Sequence, residues 1–122
     1  MLEPANAISL IRGSSKDFNL TVLDDTGHFV DLTGARVVLG VKGHRSDPAP
    51  KLVKDSLQAG HVDFPNPRAG EAVLHFAPAD TYYLDPGPYV FDLWIVFQDG
   101  RRVPVVEEST LEVVESVVRL PL

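Results

Sequence analysis

Histidines and nearby carboxylates are the residues of this sequence best suited to holding a metal ion. The four histidines are His28, His44, His61 and His75, and neighbours along the chain are at least 14 residues apart. No pair has the i, i+4 helical or i, i+2 strand spacing that aims two imidazoles at one ion. His61 and Asp63 could share one side of an extended segment and, together with His75, form a zinc site. Surface histidines on loops and on an outward strand position are the favoured interpretation, so we predict no metal site.

Nucleophilic and acid–base chemistry has equally little support. Ser14 and Ser15 follow a glycine, but no G-x-S-x-G elbow surrounds them. Asp24 and Asp25 lack the alternating acidic residues and terminal glutamate of an EF-type calcium loop. No glycine-rich phosphate loop occurs, and most carboxylates lie in predicted turns. We predict no catalytic and no cofactor-binding residues, and hence that the protein is not an enzyme.

Charge and composition exclude several classes of partner. The chain has 122 residues, a formal net charge of −6 and no cysteine. An acidic surface repels phosphate backbones, so nucleic-acid binding is not expected. No basic amphipathic stretch and no apolar run of about 20 residues indicates a membrane partner. Residues 1–7 lack the charged and apolar regions of a signal peptide.

Alternating apolar residues place these groups on β-strands rather than helices. Phe18 and Leu20 alternate with polar residues, and the longest such run extends from Pro88 to Gln98. Its inward side is predicted to carry Tyr89, Phe91, Leu93, Ile95 and Phe97. Further strands are predicted in residues 35–42, 51–56, 71–76, 101–106 and 109–115, with an irregular connection over residues 57–70. This pattern predicts an all-β fold: an immunoglobulin-like antiparallel β-sandwich of about seven strands.

An open Greek-key barrel is the competing architecture, since alternation is common to both. Tyr89 favours the sandwich, because it follows the tight turn at Asp85-Pro86-Gly87. Immunoglobulin-like sandwiches use a tyrosine at such a place to bond back to upstream backbone. An ordinary core tyrosine is the alternative interpretation.

The chain is predicted to be a single domain, 1–122, with a short N-terminal arm (1–7) and an apolar C-terminal tail (116–122). The sandwich is complete at Glu115, so the tail either pairs within its own domain or docks on a neighbouring subunit by strand addition. We favour docking, and expect removal of residues 116–122 to spare the fold but weaken assembly.

Trp94 is the residue that most suggests a partner. The outward side of its predicted strand also carries Val90 and Val96, whereas a solvated face is more polar. Two interpretations stay open: the loop over residues 43–70 covers Trp94, or the face contacts another protein, since tryptophan is enriched at interface anchors.

Four sequence segments, in order, resemble a known family. They are Ile11-Arg12-Gly13-Ser14-Ser15, Val30 to Ala35 (VDLTGA), Ala77 to Tyr89 (APADTYYLDPGPY) and Tyr89 to Leu93 (YVFDL) before the Asp99-Gly100 turn. Together they are similar to the small immunoglobulin-like domain of tailed-phage and prophage structural proteins, such as the N-terminal domain of phage upper-baseplate proteins. The chain departs from that pattern at Glu107-Glu108-Ser109, where members often have a glycine.

This resemblance implies a non-enzymatic structural component of a bacteriophage particle, in its tail, baseplate or neck. Such a protein would act as an assembly or docking module, and its partners would be other virion proteins and copies of itself. It would reside in the virion after assembly in the bacterial cytoplasm. The alternative is a ligand- or carbohydrate-binding β-sandwich module of a bacterial surface system, for which Tyr82 and Tyr83 are the adjacent aromatic pair.

Overall fold

A computed structural model describes residues 7–122, and it shows two stacked β-sheets. The strands are β1 (Ile8–Ile11), β2 (Lys16–Thr21), β3 (Arg36–Lys42), β4 (Leu52–Asp55), β5 (Val62–Asp63), β6 (Glu71–Phe76), β7 (Gly87–Val96) and β8 (Arg102–Val114). One helix, α1 (Pro78–Tyr82), connects β6 to β7, and a 3-10 turn spans Pro67–Ala69. Proline at the first position of α1 suits a helix start, because its missing N–H has no partner there in any helix.

The larger sheet has the strand order β1-β8-β7-β3-β4, and the smaller has β2-β6-β5. Their apolar faces pack against each other, which confirms the predicted all-β, immunoglobulin-like sandwich. Seven of the eight strands pair antiparallel, while β1 runs parallel to β8, with Ile8 opposite Leu111 and Ile11 opposite Val114. Side-chain alternation is the same in both kinds of pairing, so the sequence did not indicate this parallel edge.

The core lies between the sheets and follows the predicted alternation. On β7 the buried side chains are Tyr89, Phe91, Leu93 and Ile95, and on β3 they are Val37, Leu39 and Val41. Leu74 and Phe76 supply the facing layer from β6. Phe97 lies just past the end of β7 and is only partly buried.

Tyr89 forms the predicted corner between the sheets. Its hydroxyl donates a 2.6 Å hydrogen bond to the carbonyl oxygen of Asp85. Burial, followed by the negative charge of Asp85, raises the pKa of the Tyr89 phenol, so the hydroxyl keeps its proton and remains a donor. The bond fixes the turn that leads from α1 into β7.

The last strand differs from the prediction of two separate strands. β8 is continuous from Arg102 to Val114, with an irregularity opposite Asp92. There Glu108 adopts a positive φ of 44°, and its backbone N–H donates to the carboxylate of Asp92. A left-handed backbone costs a non-glycine residue roughly 1 kcal/mol. The departure noted at Glu107-Glu108-Ser109 therefore falls at a bulge where glycine would be unstrained.

We expect the Glu108→Gly variant to be more stable than Glu108→Ala by about 1 kcal/mol. Both variants lose the exposed ion pair between Glu108 and Arg45, so their difference isolates the backbone strain. Urea unfolding of the two variants measures it. Equal midpoints would show that the backbone relaxes without cost when the side chain is removed.

A buried ion pair joins the edge of the larger sheet to α1. Lys54 on β4 is only 4% exposed, and its Nζ lies 2.6 Å from Oδ2 of Asp80. The ammonium also lies 5.9 Å from the centre of the Phe76 ring. Asp80 accepts a second hydrogen bond, from the backbone N–H of Ala77, and so caps α1. Lys54 lies within the predicted strand over residues 51–56, and the sequence did not indicate its contact with Asp80.

The predicted irregular connection over residues 57–70 contains the short strand β5 and the 3-10 turn. Of the predicted N-terminal arm (1–7), residues 1–6 lie outside the described residues, and Ala7 is exposed. The tail (116–122) forms no strand with its own domain. Its apolar residues Val117, Val118, Leu120 and Leu122 are each more than half exposed.

Candidate docking site on the five-stranded sheet

The outer face of the five-stranded sheet holds an apolar groove centred on Trp94. Val38 on β3 lies opposite Trp94 on β7, and Pro104 on β8 lies opposite Trp94 on its other side. The groove encloses about 400 Å³ and is lined by the apolar residues Val38, Gly40, Pro50, Val53, Val90 and Trp94. We call this set the Trp94 groove.

Gly40 forms the floor of the Trp94 groove. It lies opposite Asp92 on one side and Val53 on the other. A Cβ atom built on Gly40 would meet no heavy atom within 4 Å. The missing side chain therefore leaves a depression in an otherwise continuous sheet surface, and a larger residue could fill it without a clash.

Charged residues of both signs surround the apolar floor. The Lys42 ammonium donates a 2.8 Å bond to the Asp47 carbonyl, and Arg45 pairs with Glu108 at 3.2 Å across the groove mouth. Asp92 accepts the Glu108 N–H. The loop after β3 thus contributes Pro50 and Arg45 to the walls, but it leaves Trp94 38% exposed.

An apolar centre with a charged rim is the usual anatomy of a protein-binding surface. The tryptophan provides a large contact area, and burying its exposed part would remove apolar surface from water. Sequence alternation found Trp94 and Val90, but it missed Gly40 and Pro50. Alternation carries no information on which neighbouring strand places a glycine beside a given tryptophan.

Comparisons with known proteins add little to this description. No protein family model matches the chain, and no curated protein does. Among solved structures, murine CRIg is similar at 17% sequence identity and a TM-score of 0.41, over 90% of this chain and 92% of that chain. The fold assignment rests on the two sheets and the tyrosine corner.

The histidine cluster considered as a zinc site is arranged differently from that hypothesis. His75 Nδ1 lies 2.7 Å from Asp17 Oδ1, and His75 Nε2 lies 2.8 Å from Asp63 Oδ2. His61 points elsewhere, because its Nδ1 accepts the backbone N–H of Asp55. Within residues 7–122 no group of three or more histidines, cysteines or carboxylates could hold a metal ion. His75 and its two carboxylate partners instead connect β2, β6 and β5 across the smaller sheet.

We expect this cluster to make stability depend on pH. Hydrogen bonds to Asp17 first, then to Asp63, raise the pKa of His75 above its ordinary value of 6.5. The stabilisation is therefore complete below the unfolded pKa and is lost as pH rises through the folded pKa. We expect unfolding midpoints to fall over this range in the natural protein and less in His75→Gln. A titration of the His75 ring by NMR with a midpoint at or below 6.5 would contradict this assignment.

Asp24 and Ser14, two of the remaining candidate residues, have structural contacts. Asp24 accepts hydrogen bonds from the backbone N–H groups of Thr26 and His28, which fixes the predicted turn. The hydrogen bond from the Thr26 side chain, followed by that from the His28 backbone, lowers the Asp24 pKa. The Ser14 hydroxyl donates to the Ile11 carbonyl.

Tyr82 and Tyr83 do not form a flat platform for a sugar. Their ring centres are 5.0 Å apart and the ring planes meet at 78°. Tyr83 is 76% exposed, whereas the Arg119 guanidinium covers Tyr82 at 5.2 Å from its ring centre.

No helix among the described residues is long and apolar enough to cross a membrane.

Proposed function

We propose that this protein is a non-enzymatic structural component of a bacteriophage particle and acts there as an assembly or docking module. The observation that carries the docking role is the Trp94 groove, an apolar depression floored by Gly40 on an exposed sheet face. The assignment to a tail, baseplate or neck is supported by the resemblance of the four segments to phage structural proteins. The partners in this proposal are other virion proteins and further copies of the chain, and its location is the virion.

The chemistry of the groove defines the partner's contact. The partner must offer an apolar side chain that fits above Gly40 and packs against Trp94. It must also satisfy a rim that carries Lys42 and Arg45 beside Asp92 and Glu108. Such a mixed rim favours a protein surface of both signs over a uniformly charged polymer.

Filling the groove tests this proposal. We expect Gly40→Val to fold normally, because the added Cβ meets open space and valine suits a strand. The same variant should block docking, since its side chain occupies the place of the partner's. Ser9→Val is the matched control, because Ser9 is exposed on the outer face of the same sheet but does not line the groove.

The measurement is the number of copies of this protein in phage particles, which are purified from a bacterial host that carries the gene for this chain. Peptide mass spectrometry should find several copies per particle for the natural protein and Ser9→Val. Gly40→Val should be expressed and folded but missing from particles. A natural chain that is absent from purified particles would refute the virion role. Full incorporation of Gly40→Val would refute the role of the groove.

A ligand- or carbohydrate-binding module is the alternative function. Its best support is the exposed ring of Tyr83 at the end of α1. Binding of the isolated protein to a glycan array, lost in Tyr83→Ala, would favour this alternative over the virion role.

A further inference from the structure

The two sheets leave an apolar groove open along one side of the sandwich, and we call it the side groove. It lies between the end of β2 and the start of β8 and encloses about 620 Å³. Its apolar lining includes Leu20, Val22, Leu23, Val103, Val105 and Val106. Val103 and Leu23 are exposed, at 36% and 52% of their surface.

Both strands that flank the side groove have an unpaired edge in the part of the chain that the structure describes. β2 is the edge strand of the smaller sheet, since its one neighbour is β6. β8 pairs with β1 only over Leu111–Val114, so the stretch Arg102–Val106 has a strand on its β7 side alone. A gap with apolar walls and free backbone donors and acceptors is suited to an extended apolar segment.

The tail has the composition of such a segment. In an extended conformation Val118, Leu120 and Leu122 share one side, and Arg119 lies on the other. In the described structure Val118 and Leu120 lie beside Ile11 and Tyr82, but all three apolar residues stay more than half exposed. Arg119 over the Tyr82 ring is an exposed contact of a kind worth roughly 0.5–1 kcal/mol, so the tail can leave at low cost.

Charge also matches between tail and groove. Arg119 is the one charged side chain of Val117–Leu122. Asp24 and Asp25 line the mouth of the side groove together with Arg101. The Arg101 guanidinium is already paired with Asp99 at 2.8 Å, so the groove presents a net negative mouth to an incoming cation.

The tail cannot lie along the side groove of its own copy, because only its last residue, Leu122, could extend back as far as Val106 at the near end of the groove. Val105 precedes Val114, the end of β8, by nine residues, or roughly 30 Å of strand. From Val114 to Leu120 the chain spans six residues, or at most roughly 20 Å. Leu120 therefore falls short of Val105 even when fully extended back along the strand.

We propose that the tail segment Val117–Leu122 of one copy docks as an added strand in the side groove of a second copy. This inference rests on the proposed assembly role and names the copy-to-copy contact within it. Reciprocal exchange of tails between two copies closes a two-fold dimer, whereas one-way exchange builds a ring or a filament.

Engineered cysteines test the contact directly, because the chain has none of its own. We expect Leu120→Cys copies mixed with differently tagged Val103→Cys copies to form an oxidised heterodimer. Leu57→Cys is the matched acceptor control, since Leu57 is 69% exposed but lines neither groove. Cross-linking to Leu57→Cys as strong as to Val103→Cys would overturn the proposal.

Association in solution gives a second measurement. The native mass of the full chain should rise with protein concentration. The variant that lacks residues 116–122 should stay monomeric and should melt at the same temperature as the full chain. Arg119→Glu should weaken association about tenfold, and Asp25→Lys in the partner copy should restore it. A full chain that stays monomeric at millimolar concentration would overturn the proposal, as would a charge reversal without effect.

The two proposals can fail separately. Particles that contain the chain while the Leu120→Cys and Val103→Cys copies do not cross-link would refute the tail contact alone. Specific cross-linking by a chain that is absent from particles would refute the virion role alone.

Discussion

Asp80→Ala should lower the free energy of unfolding by about 3–5 kcal/mol. The change leaves the ammonium of Lys54 buried without its carboxylate partner, at a position 4% exposed. It also removes the acceptor for the Ala77 N–H at the start of α1. Lys54 belongs to β4 of the larger sheet, and α1 leads from the smaller sheet into β7. Losing the ion pair therefore removes a contact that holds β4 and α1 together at the edge of the sandwich.

Urea unfolding monitored by Trp94 fluorescence measures this loss. Asp25→Ala is the control, because Asp25 is an exposed carboxylate outside this contact, and we expect a change of less than about 0.5 kcal/mol. Adding Lys54→Met to Asp80→Ala should restore at least about 2 kcal/mol, since the unpaired charge is gone. A single Asp80→Ala variant as stable as the control would show that water reaches the Lys54 ammonium.

Tyr89→Phe should cost about 1–2 kcal/mol, the second largest effect, because the hydroxyl that donates to the Asp85 carbonyl is lost while the ring remains in the core. A carbonyl left without its donor at a turn costs more than the average net hydrogen bond. Tyr83→Phe is the control, because the Tyr83 ring is largely exposed.

Thermal unfolding at several pH values separates the loss of the Tyr89 hydrogen bond from any effect of Tyr89 ionisation on stability. Because the Tyr89 pKa is raised above 10.0, the difference in stability between the natural protein and Tyr89→Phe should be constant from about pH 6 to about pH 9. An equal melting temperature for Tyr89→Phe and Tyr83→Phe would show that the turn is fixed by its backbone alone.

The sequence predicted the parts of this structure that depend on alternation. The inward residues of β3, β6 and β7 and the corner at Tyr89 follow from period-two patterns and turn residues, and the structure confirms them. The alternation of Val90 and Trp94 likewise marked the face that carries the groove.

Contacts between distant strands could not be predicted from one sequence. Nothing in the short β4 run indicates that Lys54 points inward to Asp80, which lies far along the chain beyond two further strands. The bulge at Glu108 was also hidden, because two apolar runs broken by Glu107 and Glu108 suggest two strands. The side groove depends on which edges stay unpaired, which is a property of sheet order rather than of any local segment.

The parallel pairing of β1 with β8 sets how the domain responds to mechanical load. A tension applied between Ile8 and Val114 pulls these adjacent strands in opposite directions along their length. Their hydrogen bonds are then sheared simultaneously, whereas a hairpin pulled from its open end unzips one bond at a time. Forced unfolding is governed by the barrier height rather than by equilibrium stability. The force needed to unfold the domain along this axis can therefore be high whatever its equilibrium stability.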